Sequence, residues 1–266
     1  MLLFTAEGVL KGGSDILTSI HKSYLRCVYT QGVKPAISKT VLDAGWLVHE
    51  SGLNRRRCPG NTCLSSLRQY SADLLGEAAQ NDSKGCGSVM RVAPVAWAKA
   101  DDVFGLGCAA SWLTHGHPTG WLSGGALALL INRLLEGDEL DTALDTVLAE
   151  TRKRDNSEQV EEAILGARRA ASQWSATAES VEQLGGGWIA EEALAIAIFC
   201  ALKYPTDFRE AVILAANISG DSDSTAAITG NIMGTLLGVE AIPQEWIDNL
   251  QERDIIAKMV ADCEKK

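Results

Sequence analysis

The sequence predicts an all-α chain folded as a single domain over residues 1–266. Three observations carry that expectation. Apolar residues recur at spacings of three and four wherever a pattern is legible, alternation of period two is hard to find, and glycine- or proline-bearing breaks fall between the helical patterns rather than inside them. At 46% apolar and 22% charged, with six prolines in 266 residues, the chain can bury a sizeable core and is too apolar for disorder.

Taken in order, the N-terminal MLLFTAEG has no basic region and meets Glu7 before any cleavage-site pattern. It does not read as a secretory signal, and the expected location is cytoplasmic. Ile37, Val41, Ala44 and Val48 place one apolar stripe on a helix. Cys58-Pro59-Gly60-Asn61, Lys84-Gly85-Cys86-Gly87 and His117-Pro118 are turn or loop chemistry. The mixed-charge run 150–162 reads as a solvated helix face, and Val160, Ile164, Ala167, Ala171 and Trp174 continue it with an apolar stripe. Gly185-Gly186-Gly187 is a turn, and Tyr204-Pro205 closes the segment that follows it. Between them, residues 191–202 carry acids in the first turn and then apolar residues on all sides, which suits a helix in the middle of a bundle. No linker, fixed-period repeat or domain boundary stands out.

Composition excludes several classes of function. The net charge is −10, from 24 basic and 34 acidic residues, so the chain lacks the basic footprint that duplex nucleic acid or an anionic membrane surface requires. The longest apolar run, residues 193–202, is half of the about 20 residues that a membrane-crossing helix needs. Seven cysteines, with no C-x-x-C pair and no clustered histidine, speak against zinc and against a disulfide framework; they read as reduced, mostly buried thiols. The seven tryptophans read mostly as core, with Trp188, after three glycines, a candidate to flank a base.

Three segments offer chemistry. The first is Ser219-Gly220-Asp221-Ser222-Asp223-Ser224-Thr225, ahead of a helical pattern. Asp221, Asp223 and Ser224 are hard oxygen donors of the kind Mg²⁺ or Mn²⁺ prefers; the alternative is that an aspartate caps the helix. Gly230, Gly234 and Gly238 would leave one side of that helix bare, so that neighbouring backbone approaches and carries the acidic turn inward. The second segment is Asn81-Asp82-Ser83-Lys84-Gly85-Cys86-Gly87-Ser88-Val89-Met90-Arg91, whose alternating glycines expose backbone N–H groups able to cradle an anionic oxygen; the alternative is a tight turn. The third is Thr114-His115-Gly116-His117-Pro118. Its histidines are candidate hydrogen-bond donors to a phosphate or ribose, against the alternative of a helix C-cap with a proline stop.

Together these segments resemble the ADP-ribosylglycohydrolase family. The matching stretches, in order, are LFTAEGVL, RRRCPGNTCLSSL, NDSKGCGSVMRVAP, LTHGHPTG, GGWIAEEALAIAIFCAL and SGDSDSTAAITGNIMGTLLG, spread over residues 3–238. The resemblance implies a compact orthogonal helix bundle. It also implies hydrolysis of the bond between ADP-ribose and an acceptor, often arginine, at a site holding two Mg²⁺ or Mn²⁺ ions. The substrate would be an ADP-ribosylated protein or an ADP-ribose-containing small molecule. Carried over by position, Asp221, Asp223 and Ser224 match the C-terminal metal motif. Asn81, Ser83, Lys84, Gly85, Cys86 and Gly87 match the loop that holds the ribose and diphosphate, and His115 matches a ligand-contacting histidine. Asp82 is the candidate for proton transfer, its alternative being to cap the following turn.

One departure stands beside the match. The family's other metal ligands, a Thr-Asp-Asp or Asp-Asp-Thr motif, precede the segment resembling LLFTAEGVL, and an acidic catalytic residue lies further upstream. Here that segment begins at Leu2, and Glu7 lies on the wrong side of it to substitute. Three oxygens from one turn do not fill the roughly six positions around Mg²⁺, so impaired metal binding is expected. A degenerate ADP-ribose binder or inhibitory partner is the alternative function, and a start further upstream is the alternative reading of the departure.

Overall fold

The computed structural model describes residues 1–69 and 75–265. Among them every regular element is helical, and the only β-type pairing is an isolated antiparallel bridge between Gly85 and Ile189. The all-α expectation holds. In chain order the α-helices are α1 (Leu2–Lys11), α2 (Ile16–Thr30), α3 (Lys39–Asp43), α4 (Asn61–Gln69), α5 (Val103–Trp112), α6 (Pro118–Leu135), α7 (Leu140–Thr151), α8 (Glu158–Gln173), α9 (Ala178–Glu182), α10 (Ala190–Lys203), α11 (Phe208–Ala216), α12 (Ser222–Leu237), α13 (Gln244–Asp248) and α14 (Arg253–Glu264).

The helix starts are written in short polar side chains. Asp15, Asp102 and Asp207 each accept from a backbone N–H three residues on, at 3.1, 2.7 and 3.0 Å, satisfying donors that a first turn leaves orphaned. α10 is the central strut. Its residues 193–201 are all buried, and it packs on α8, α12, α6 and α11. α8 buries Val160, Ile164 and Ala167 of the predicted stripe, with Ala170 beside them, while Ala171 and Trp174 are half-buried; α5 lies along α6 and α1 along α2. The run 150–162 is tied by surface ion pairs from Arg152, Lys153 and Arg154.

Four expectations need correction. The stripe from Ile37 to Val48 is not one helix: α3 spans five residues, and beyond it Gly45 passes so close to the paired side chains of Arg26 and Glu7 that a Cβ there would strike them. Pro118 does not stop a helix but opens α6, where its missing N–H costs nothing, with His117 at the N-cap accepting from the Thr119 N–H at 3.1 Å. The glycines of α12 bring no backbone close: Gly230 faces open space, Gly234 meets only the Phe208 ring, and Gly238, at φ +80°, ends the helix. The tryptophans are not core: 46, 112, 121, 174 and 246 are half-buried against it, and Trp97 and Trp188 are exposed. The cysteines match their expectation, with no disulfide and five of seven thiols buried. No helix among the described residues is long and apolar enough to cross a membrane.

Candidate active site

The three chemistry-bearing segments meet at residues 85–87. Asn81 anchors the loop. Its amide nitrogen donates to the Thr114 carbonyl at 2.9 Å and to Ser66 Oγ at 3.1 Å, and its amide oxygen accepts from the Ser83 and Gly116 N–H groups, both at 3.0 Å. Gly116 is needed there, because a Cβ would collide with the Asn81 carbonyl oxygen. Ser83 Oγ lies 3.2 Å from Thr62 Oγ1 and accepts from the Gly85 N–H at 3.3 Å. The loop is therefore bolted to the turn that carries His115.

On its other edge the loop pairs with the glycine hairpin. The Cys86 N–H donates to the Trp188 carbonyl at 3.0 Å, and the Ala190 N–H to the Lys84 carbonyl at 2.8 Å. The hairpin in turn seats the acidic turn. The Asp221 N–H donates to the Gly186 carbonyl at 2.8 Å, and a Cβ at Gly220 would overlap that same oxygen. Close approach of backbone thus occurs at Gly220 and Gly186 instead of along α12, and it leaves the acidic turn at a rim: Asp223 is exposed, Asp221 half-buried and Ser224 buried.

His115 is 1% exposed, and its Nε2 lies 3.5 Å from the place a Cβ would occupy on either Gly85 or Gly87. Burial, reinforced by the nearby Arg91 charge, lowers its pKa from 6.5 to about 3, so the ring is neutral. Across the loop, the Cys86 thiol donates to Asp221 Oδ2 at 2.7 Å and sits 3.5 Å from Ser224 Oγ, which donates to Met90 Sδ at 3.4 Å. Burial, then the bond to Asp221, push that thiol up to about 12, so it stays protonated. Asp221 at the N-cap of α12 makes no capping bond with its side chain. A hydrogen bond shared with Asp221 raises the Asp223 carboxyl above the usual carboxylate range, with burial and like-charge repulsion adding to it.

Of the loop's donors, Gly85 and Cys86 spend their N–H groups inside the fold, whereas the Gly87 N–H has no partner among the described residues. Lys84 turns away: its ammonium is held by Glu191 and by Gln159 Oε1, at the edge of a separate cavity of about 570 Å³ lined by Glu158, Glu162, Glu191 and Glu192. Asp82 is exposed at the loop's start, and Trp188 is 63% exposed on the hairpin beside Cys86. Sequence reading assigned no role to Arg91 or Thr114 and missed the Cys86–Asp221 contact; the one visible signal for Arg91 was an arginine inside the apolar run Val89-Met90-Arg91-Val92.

Asp221, Asp223 and Ser224 of the acidic turn offer two carboxylates and one hydroxyl, fewer oxygens than the roughly six positions around Mg²⁺. Among the described residues no three His, Cys, Asp or Glu side chains converge tightly enough to hold a metal, and one Asp221 oxygen is already engaged by a thiol.

The model of the ADP-ribosylglycohydrolase family matches residues 1–266, from end to end. The chain belongs to this family. Among curated proteins it is similar to the ADP-ribosylarginine hydrolase Tri1 of Serratia proteamaculans (strain 568), at 26% identity over 225 residues, covering 80% of this chain and 57% of that protein. It is also similar to the ADP-ribosylhydrolase ARH3 of Bos taurus, at 26% identity over 210 residues, covering 66% of this chain and 57% of that protein. It therefore spans a little over half the length of these relatives. Among solved structures, an ADP-ribosylglycohydrolase-related protein complex matches with a TM-score of 0.65 and 22% identity, covering 99% of this chain and 78% of that one. That likeness establishes the bundle as the family's fold.

Proposed function

We propose that this chain binds ADP-ribose at residues 81–87 and hydrolyses its bond to an acceptor, which we take to be arginine. One observation carries the reading: a single glycine loop lies against His115 and is tied to Asp221 through Cys86, and its Gly87 N–H has no partner among the described residues. A diphosphate oxygen is the ligand such a donor suits. Trp188 lies beside the loop with its indole open to solvent, a surface on which a base or ribose can stack. In the reaction, water adds to the anomeric carbon of the ribose, the bond to the acceptor nitrogen breaks, and the leaving nitrogen takes a proton. Asp82, exposed at the mouth of the loop, is the carboxyl we assign to that transfer. The choice of arginine follows the activity named for the bacterial relatives Tri1, ADP-ribosylarginine hydrolases.

A second reading, an ADP-ribose binder or inhibitory partner without turnover, is favoured by the engagement of Asp221 by the Cys86 thiol and by the small donor set around it. Release of ADP-ribose from an ADP-ribosylarginine peptide, followed with and without Mn²⁺, separates the two. The hydrolase reading expects turnover that Asp221→Ala and Asp223→Ala each reduce by at least tenfold. Equal rates in wild type and both variants remove any role for the acidic turn. Tight binding without turnover establishes the binder.

A further inference from the structure

Arg91 is 2% exposed, and its guanidinium is stacked 4.5 Å from the centre of the Tyr24 ring. From there it reaches two parts of the site at once. Nη1 donates to the Gly87 carbonyl at 2.8 Å, and Nη2 donates to Thr114 Oγ1 at 2.7 Å. Thr114 Oγ1 in turn lies 2.7 Å from His115 Nδ1.

A hydroxyl has one proton to give, and an arginine has no lone pair to accept it. Since Arg91 donates to Thr114, the Thr114 proton goes elsewhere. Two acceptors are in reach, His115 Nδ1 at 2.7 Å and the Ser111 carbonyl at 3.5 Å, and hydrogen-bond strength falls steeply over that interval. Of the two, Nδ1 is much the better placed to accept it. A neutral imidazole carries one proton, so it then sits on Nε2, the nitrogen facing Gly85 and Gly87.

We infer that Arg91, acting through Thr114, is a positioning residue that fixes His115 in the Nε2–H tautomer and presents it as a hydrogen-bond donor to an anionic ligand lying over the glycine loop. The same guanidinium also holds the Gly87 carbonyl, so the loop and the imidazole share one support. Histidine, threonine and arginine thus act as one unit. A donor that stays neutral is useful here, because it binds an oxygen anion without releasing or taking a proton at neutral pH. The identity of the ligand rests on the proposed function above; the tautomer does not.

The test is a ¹⁵N spectrum of histidine-labelled protein at pH 7, with His115 assigned by its loss in His115→Asn. The expected wild-type pattern is a protonated Nε2 and a bare Nδ1. Thr114→Ser keeps the hydroxyl and should preserve that pattern, whereas Thr114→Val removes it and should move the proton at least partly to Nδ1. Thr114→Val should also weaken ADP-ribose binding about tenfold, the loss of one hydrogen bond to a charged group, while Thr114→Ser stays within about twofold of wild type. A wild-type Nδ1–H tautomer, or a Thr114→Val spectrum identical to wild type, overturns the inference. If the tautomer moves in Thr114→Val but ADP-ribose affinity does not, the positioning device stands and the assigned ligand is wrong.

Discussion

A methyl group on Gly85 would lie 3.5 Å from His115 Nε2 and 3.6 Å from Ser83 Oγ, both ordinary contact distances. Alanine should therefore fold without strain and cover the imidazole. We expect Gly85→Ala to leave the melting temperature within about 2 °C of wild type and to weaken ADP-ribose binding about tenfold, read by calorimetry. Unchanged affinity would mean that His115 does not see the ligand. At this scale the sequence was partly legible. Its glycine spacing and the Thr114-His115 pair marked the loop and the imidazole. An arginine inside an apolar run hinted at Arg91 but not at its role, which depends on Tyr24, Gly87 and Thr114, three positions separated in sequence and joined only by folding. The Cys86–Asp221 bond, across 135 residues, was invisible for the same reason.

Among the elements, α8 and α10 were legible because one face, or every face, of each is buried in a continuous stripe. α3 was not, because the chain just beyond it is placed by tertiary contacts. Glu7 on α1 and Arg26 on α2 form a buried pair at 2.7 Å, with Ser23 and the Val41 carbonyl completing the guanidinium's bonds, and Gly45 must pass close beside them. This also accounts for Glu7, which is 1% exposed and committed to Arg26. Removing one partner strands a buried charge, so Glu7→Ala should cost about 3 to 5 kcal/mol in urea unfolding. Under conditions where the variant is folded, its ADP-ribose affinity should match wild type. A cost below about 1 kcal/mol would contradict the burial assigned to this pair.

For the molecule as a whole, two buried histidines tie stability to pH. Burial lowers His21 to about 4 and His115 to about 3, against 6.5 when unfolded. Between those values the unfolded chain binds protons that the folded chain refuses. Stability should thus be flat with respect to these groups above pH 6.5 and fall as pH drops below it, by up to about 1.4 kcal/mol per pH unit for each. The raised carboxyl of Asp223 works in the opposite direction, since the folded chain holds its proton more tightly than the unfolded one. Urea midpoints at pH 7, 6 and 5 check this. The slope should be roughly halved in His115→Asn, and equal midpoints at pH 7 and 5 would refute it.

The account turns on one pocket shared by the glycine loop, the imidazole and the acidic turn. Titrating ADP-ribose into ¹⁵N-labelled protein and following the amide and indole signals tests that most directly. The account predicts that the largest shifts fall together on Gly85, Cys86, Gly87, the Trp188 indole and residues 221–224. Shifts confined to the cavity lined by Glu158, Glu162 and Glu192, or no shifts at millimolar ADP-ribose, would contradict it.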